Sequence, residues 1–161
     1  MKLFLARHAD AIEYTTDTVI NDDLRFLTIE GRAKENKVAG FLKDYLTDIE
    51  MILTSPLIRA VQTAEIIASN IDYTGEIVLV NELKFETPLS PLIDLIKTMT
   101  NYSSLLLVGH EPKLGNLVKV LTGISLAGFP KSGFCYIEYN TLDDTFKYEW
   151  YFDPKKMIII N

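Results

Sequence analysis

The chain has one cysteine, Cys135, in 161 residues. That excludes an internal disulfide and any zinc cluster built on several thiolates. Proline and glycine are sparse, at 6 and 8 residues, so collagen-like and low-complexity readings fall away. No stretch approaches the ~18 consecutive apolar residues of a membrane helix. The apolar start at residues 2–6 is cut short by Arg7, His8 and Asp10, where a secretory leader needs a longer apolar region and a small-residue cleavage site. The expected localisation is cytoplasmic, with no membrane contact. Positive charge is also scarce. The 16 lysines and arginines face 22 acidic residues, for a net charge of −6. Such a surface repels polyanions, so nucleic acid is not an expected partner.

With 48% hydrophobic and 24% charged residues, the composition is that of an ordinary globular protein, and the expectation is a single domain over residues 1–161. Short apolar runs at 3–6, 51–53, 77–80 and 105–108 are bounded by polar residues, as buried parallel strands are. Helical spacing recurs between and after them. It joins Val38, Phe41, Leu42 and Tyr45 behind a Thr28 N-cap, then Leu57, Val61, Ala64 and Ala68, then Leu92, Leu95, Ile96 and Met99. A last stripe, Leu114, Leu117, Val118 and Leu121, is opened by Pro112 and closed near Gly123. Alternating strands and helices predict an α/β sheet covered on both faces. Period-two alternation at 134–139 and 145–152 predicts an antiparallel hairpin added to that sheet. Residues 9–27 lack periodicity and predict a long functional loop. The apolar tail at 157–160 predicts a final short strand or strap.

Only two histidines are present, His8 just after the first strand and His110 just after the fourth. In an open α/β sheet, ligands bind beyond the carboxyl ends of the strands, which would bring both rings to one edge. By position alone, two unrelated histidines are an equal reading. The arginines shift the balance. There are four against twelve lysines. Arg7 precedes His8, Arg59 falls in the first turn of the second helix, and Arg25 lies in the long loop. A guanidinium grips phosphoryl oxygens through two parallel hydrogen bonds, which an ammonium cannot do. Scarce arginines beside scarce histidines suit a site for one phosphoryl group.

Residues 5–9 (LARHA) resemble the nucleophile motif of the histidine phosphatase superfamily, the phosphoglycerate mutase-like proteins. Residues 54–64 (TSPLIRAVQTA) resemble its second motif, and residues 108–112 (VGHEP) its third. The three occur in order between residue 3 and about 135. The short chain, Arg25 followed by Leu27, Thr28 and Gly31, and the Ser132-Gly133 pair are similar to phosphohistidine phosphatases of the SixA type. Ala9 stands where the wider superfamily has glycine, and Phe26 where a proline is usual.

The resemblance implies a three-layer α/β/α sandwich with a mostly parallel central sheet and a C-terminal antiparallel hairpin. It also implies a phosphohistidine intermediate, with neither metal nor cofactor. His8 would attack phosphorus. Arg7 and Arg59 would hold the equatorial oxygens, His110 would donate to them as an imidazolium, and Arg25 would close over the group. His8 must be neutral at its attacking nitrogen, with the other nitrogen held, expectedly by a backbone carbonyl.

Related mutases and phosphatases take a proton donor from the segment after the third strand, where this chain offers Glu82 and Glu86. Either is also readable as a solvated loop carboxylate. An alkoxide leaving group needs such an acid, whereas imidazole leaves as a base of pKa about 6.5. The expected function is therefore a phosphohistidine phosphatase acting on a phosphotransfer protein. A small-molecule phosphomonoesterase and a non-catalytic phosphate-recognition module are the alternatives. With little chain left over for a lid, an open, shallow site is expected. Asp10 would orient the loop or the arginines, or be a surface turn residue. A metal site at His8, Asp10 and His110 would set a cation among arginines. Cys135 alternates within a strand and reads as buried packing. The sequence carries no signal for oligomeric state.

Overall fold

The first strand is apolar on both faces because it lies in the middle of a sheet. In β1 (Lys2–Arg7), Leu3, Phe4, Leu5 and Ala6 are all buried. The computed structural model describes residues 1–15 and 17–161. Its sheet has seven strands in the order β3-β2-β4-β1-β5-β6-β7. The parallel part comprises β1, β2 (Met51–Thr54), β3 (Ile77–Leu79) and β4 (Ser104–Gly109). The antiparallel part comprises β5 (Phe134–Asn140), β6 (Thr145–Asp153) and β7 (Ile158–Ile160).

Alternation along β1 divides the core into two layers. Phe4 and Ala6 pack with Val38, Leu42, Ala64, Ile67 and Phe152, beneath α1 (Ile29–Leu42) and α2 (Ile58–Asn70). Leu3 and Leu5 pack with Leu92, Ile96, Leu117 and Val118, beneath α3 (Ser90–Thr98) and α4 (Lys113–Thr122). The expected α/β class and added hairpin are present. Thr28 caps α1 by accepting the Gly31 N–H at 2.9 Å, and Gly123 closes α4 in the left-handed region at φ 76°. No helix among the described residues is long and apolar enough to cross a membrane.

Three expectations change. β3 is an edge strand rather than a buried one, leaving Leu79 58% exposed. Phe41 and Tyr45 do not enter the core. They lie on the outside of Phe152 and Trp150, with ring centroids 5.4 and 5.7 Å apart. Tyr45 has also left the α-helix for a 3-10 turn at Lys43–Tyr45. Of the stripe expected on α2, Leu57, Ala64 and Ala68 are buried and only Val61 is half-buried, while Ala60, Thr63 and Ile67 complete the inward face.

The tail became β7, paired antiparallel with β6. The long loop is pinned at its base by a bridge between Ala11 and Leu27, and carries a 3-10 turn at Asp22–Leu24 capped by the Asn21 side chain. Gly31, in the first turn of α1, lets that helix dock against the loop: a Cβ there would lie 2.1 Å from the Asp10 carbonyl oxygen.

Candidate active site

Pairing of β1 with β4 runs in register to Arg7 opposite Gly109, and the His8 N–H continues it by donating to the Gly109 carbonyl at 3.1 Å. The two strands therefore release their histidines side by side, with ring centroids 5.0 Å apart. His8 Nδ1 lies 2.7 Å from the Ala9 carbonyl oxygen. A carbonyl only accepts, so Nδ1 carries the proton and Nε2 presents its lone pair. The expected backbone partner is thus that of the next residue. Burial, with the charges of Arg59, Arg7 and Lys131, pushes His8 down to about 3.

His110 Nε2 lies 2.7 Å from Ser55 Oγ, and its Nδ1 is buried without a partner. Ser55 Oγ accepts the Leu57 N–H at 3.4 Å. That oxygen keeps both a proton to give and a second lone pair, so the contact is satisfied by either tautomer of a neutral His110. Burial, with His8 and the arginines, takes His110 down to about 2. In this arrangement His110 is a neutral ring, and only a nearby anion would charge it.

Each arginine is held by backbone. Arg7 Nη1 donates to the Phe129 carbonyl at 2.7 Å. Arg59, in the first turn of α2, donates through Nη1 to the Asp22 carbonyl and through Nη2 to Asp22 Oδ2, each at 2.8 Å. Arg25 donates through Nε to the Ile12 carbonyl at 2.5 Å and through Nη1 to Asp22 Oδ1 at 3.0 Å. His8 and His110 thus lie side by side within reach of the charges of both Arg7 and Arg59, and Asp22 links Arg59 to Arg25. Burial alone would raise the Asp22 carboxyl, but its bonds and charge pairs with Arg25 and Arg59 outweigh that and hold it below the usual carboxylate range.

The site is not open. His8 is 6% exposed, Arg59 4% and His110 2%. No inserted lid is responsible. The loop after β1 folds its Asp22 turn onto Arg59.

Glu82 and Glu86 fall beside Lys113, whose charge they support. Neither carboxylate makes a hydrogen bond or ion pair among the described residues. Phe85, between them, sets its ring edge-on to His110 at 6.1 Å. Asp10 pairs with Lys131 and not with an arginine. Cys135 is fully buried, its thiol pushed up to about 12 by desolvation, which makes it inert. Among the described residues, no three of His, Cys, Asp and Glu are placed to hold one metal ion.

The sequence reading overlooked Asp22, Ser55, Thr63 and Lys131. Ser55 and Thr63 sit inside the middle motif, where their chemistry was legible. Asp22 lies in an aperiodic polar stretch and had no local signal.

Residues 3–84 match the model of the histidine phosphatase superfamily, branch 1. The phosphohistidine phosphatase SixA of Escherichia coli is 30% identical over 123 residues, covering 75% of this chain and 74% of that protein. The structure of the protein histidine phosphatase SixA complexed with tungstate superposes with a TM-score of 0.89 at 25% identity, over 98% of this chain and 100% of that one. The alpha-ribazole phosphatase of Shigella flexneri shares the fold, with a TM-score of 0.71 at 17% identity over 92% of this chain and 95% of that one. The chain belongs to the histidine phosphatase superfamily, branch 1, and is a phosphatase.

Proposed function

We propose that this phosphatase removes the phosphoryl group from phosphohistidine on a phosphotransfer protein, through a phosphohistidine formed on its own His8. The observation that carries the reading is the Nδ1 bond of His8 to the Ala9 carbonyl, which leaves the Nε2 lone pair of a neutral ring free within reach of the charges of Arg59 and Arg7. Nε2 attacks phosphorus in line as the substrate's P–N bond breaks. Arg7 and Arg59 hold the equatorial oxygens, with Arg25 above. His110 becomes an imidazolium when the dianion offsets the surrounding cations, and donates from Nδ1. Water then attacks phosphorus, the P–Nε2 bond breaks with its electron pair returning to the His8 ring, which keeps its Nδ1 proton, and the product leaves as dihydrogen phosphate carrying both protons of the water. Positioning and charge do most of the work in such a transfer.

The substrate class rests on the proton donor. The two carboxylates of the segment after β3 act on Lys113 only through their charge, while its ammonium bonds Lys84 and Thr87. A leaving imidazole, a base of pKa about 6.5, needs little help from an acid. The relative named for phosphohistidine chemistry supports the same reading. The small-molecule phosphomonoesterase is the second reading, and half-buried Glu82 favours it. The test is a rate comparison in EDTA between a phosphohistidine-bearing phosphotransfer domain and p-nitrophenyl phosphate with a panel of sugar phosphates. Fast loss of phosphohistidine, abolished in His8→Ala together with 32P trapping on the protein, is the expected result. Faster ester hydrolysis, lost in Glu82→Gln or Glu86→Gln, would establish the second reading instead.

A further inference from the structure

The Asp22 carboxylate makes, within the chain, the contacts expected of a phosphoryl group. Oδ2 takes Arg59 Nη2 at 2.8 Å and Oδ1 takes Arg25 Nη1 at 3.0 Å. The Asp22 carbonyl takes Arg59 Nη1 at 2.8 Å. Both terminal nitrogens of Arg59 are therefore engaged by one residue. The same turn accounts for part of the burial of the site. Arg59 is 4% exposed, although its carboxylate partner stands at the surface with a side chain 38% exposed.

We propose that Asp22 is a specificity-determining residue that occupies the arginine pair in place of substrate, so that a phosphoryl group enters only when the rest of the substrate displaces the Asp22–Leu24 turn. This rests on the reading of Arg25 and Arg59 as phosphoryl ligands. A carboxylate and a phosphoryl group compete for the same guanidinium forks. A ligand that must first free its site binds more weakly by the fraction of molecules in which the site is free. Phosphate or a small ester must meet that cost from its own contacts. A protein substrate has further contacts to spend, and the loop offers them. Ile20, Leu24 and Phe26 flank the turn at 85%, 37% and 46% exposure. Contact with these apolar side chains would draw the turn away from Arg59 as the phosphoryl group arrives. A small phosphate lacks those contacts and meets the whole cost of displacing the turn.

The experiment is titration of inorganic phosphate into wild type, Asp22→Asn, Asp22→Ala, Asp23→Asn and Arg59→Ala by calorimetry. The same proteins are assayed on p-nitrophenyl phosphate and on a phosphohistidine-bearing phosphotransfer domain. Both Asp22 variants are expected to bind phosphate about tenfold tighter or more. Their KM for the small ester should fall in proportion, and kcat/KM on the phosphoprotein should rise by no more than the same factor, because either substrate must displace the turn. Asp23→Asn should match wild type. Unchanged or weaker phosphate binding in both Asp22 variants would overturn the proposal and make Asp22 an orienting partner of Arg59. A fall in kcat with unchanged phosphate affinity would overturn it in favour of a proton carrier. Equal phosphate binding by wild type and Arg59→Ala would remove the arginine site and this proposal with it. Tighter phosphate binding in the Asp22 variants, with no turnover of the phosphoprotein by wild type, would leave Asp22 in its role and overturn only the substrate class.

Discussion

The Ala9 N–H donates to Thr63 Oγ1 at 3.0 Å, across 54 residues of sequence. The Thr63 hydroxyl donates in turn to the Arg59 carbonyl at 2.6 Å. Through one threonine, the peptide after the nucleophile is tied to the first turn of the helix that carries Arg59. All three groups are buried. Their relative position is fixed by two hydrogen bonds rather than by packing alone.

Thr63→Val keeps the shape and leaves the Ala9 N–H buried without a partner, at a cost of about 1–3 kcal/mol. The expected outcome is a lower Tm together with a kcat reduced about tenfold, largely restored in Thr63→Ser. A variant that loses Tm but keeps the kcat of wild type per folded molecule would limit the tie to stability. Thermal melts and steady-state kinetics on the same preparations make the comparison.

Arg59→Lys replaces a planar fork by a single ammonium. It keeps the charge and gives up the two-point grip. The loss expected in kcat/KM is on the order of 10²-fold, the scale of removing one preorganised donor from a transition state. A drop of less than about threefold on both phosphoprotein and small ester would separate Arg59 from the chemistry.

His8 and His110, lowered to about 3 and 2 from an ordinary 6.5 chiefly by burial, stay neutral and take up no second proton in the folded protein at neutral pH. The unfolded chain takes up those protons as pH falls below 6.5. In that range the unfolded state holds more protons than the native one, so stability falls with pH, at about 1.4 kcal/mol per unit for each ring. Ring-proton NMR should show neither histidine titrating above pH ~5. Added phosphate should move the His110 titration upward. A ring titrating at its ordinary value in the free protein would refute the neutral pair.

Glu35, on α1, contributes with the opposite sign. It is fully buried, and desolvation raises it from 4.5 to about 7. The Ser132 hydroxyl lies beside it without a well-aligned hydrogen bond. The native state therefore holds a proton that the unfolded chain has lost between those two values, and stability falls as pH rises through that window. Glu35→Gln, which cannot ionise, should be more stable than wild type at pH 8 by on the order of 3 kcal/mol, and about equal to it near pH 4. Urea unfolding at both pH values is the measurement. A difference independent of pH would mean that the carboxyl is not protonated in the fold.

Local patterns were enough for most of the architecture. Short apolar runs bounded by polar residues fitted strands of a sheet, and Thr28 ahead of a helical stripe fitted an N-cap. Reading failed where burial depends on what lies on the other side. The Ile77–Leu79 run is as apolar as its neighbours, yet it ends at the sheet edge because strand order is not written in composition. Phe41 and Tyr45 obey helical spacing and still sit outside, since hairpin aromatics already fill the layer beneath.

The candidate site divides in the same way. Arg7, His8, Arg59 and His110 were legible because each follows a strand or opens a helix, and the carboxyl ends of parallel strands converge. Strand ends alone left two unrelated histidines as an equal reading, and it was the three motifs in sequence order, by their resemblance to the superfamily, that singled out these four residues. The tertiary structure decided which groups touch them. Thr63 reaches the peptide of Ala9 only because α2 packs beside β1. Asp22 reaches Arg59 only because an aperiodic loop, pinned by Ala11 and Leu27, folds back over the strand ends. Hydrogen bonds of that kind depend on distances between segments remote in the chain, and no spacing within either segment encodes such a distance.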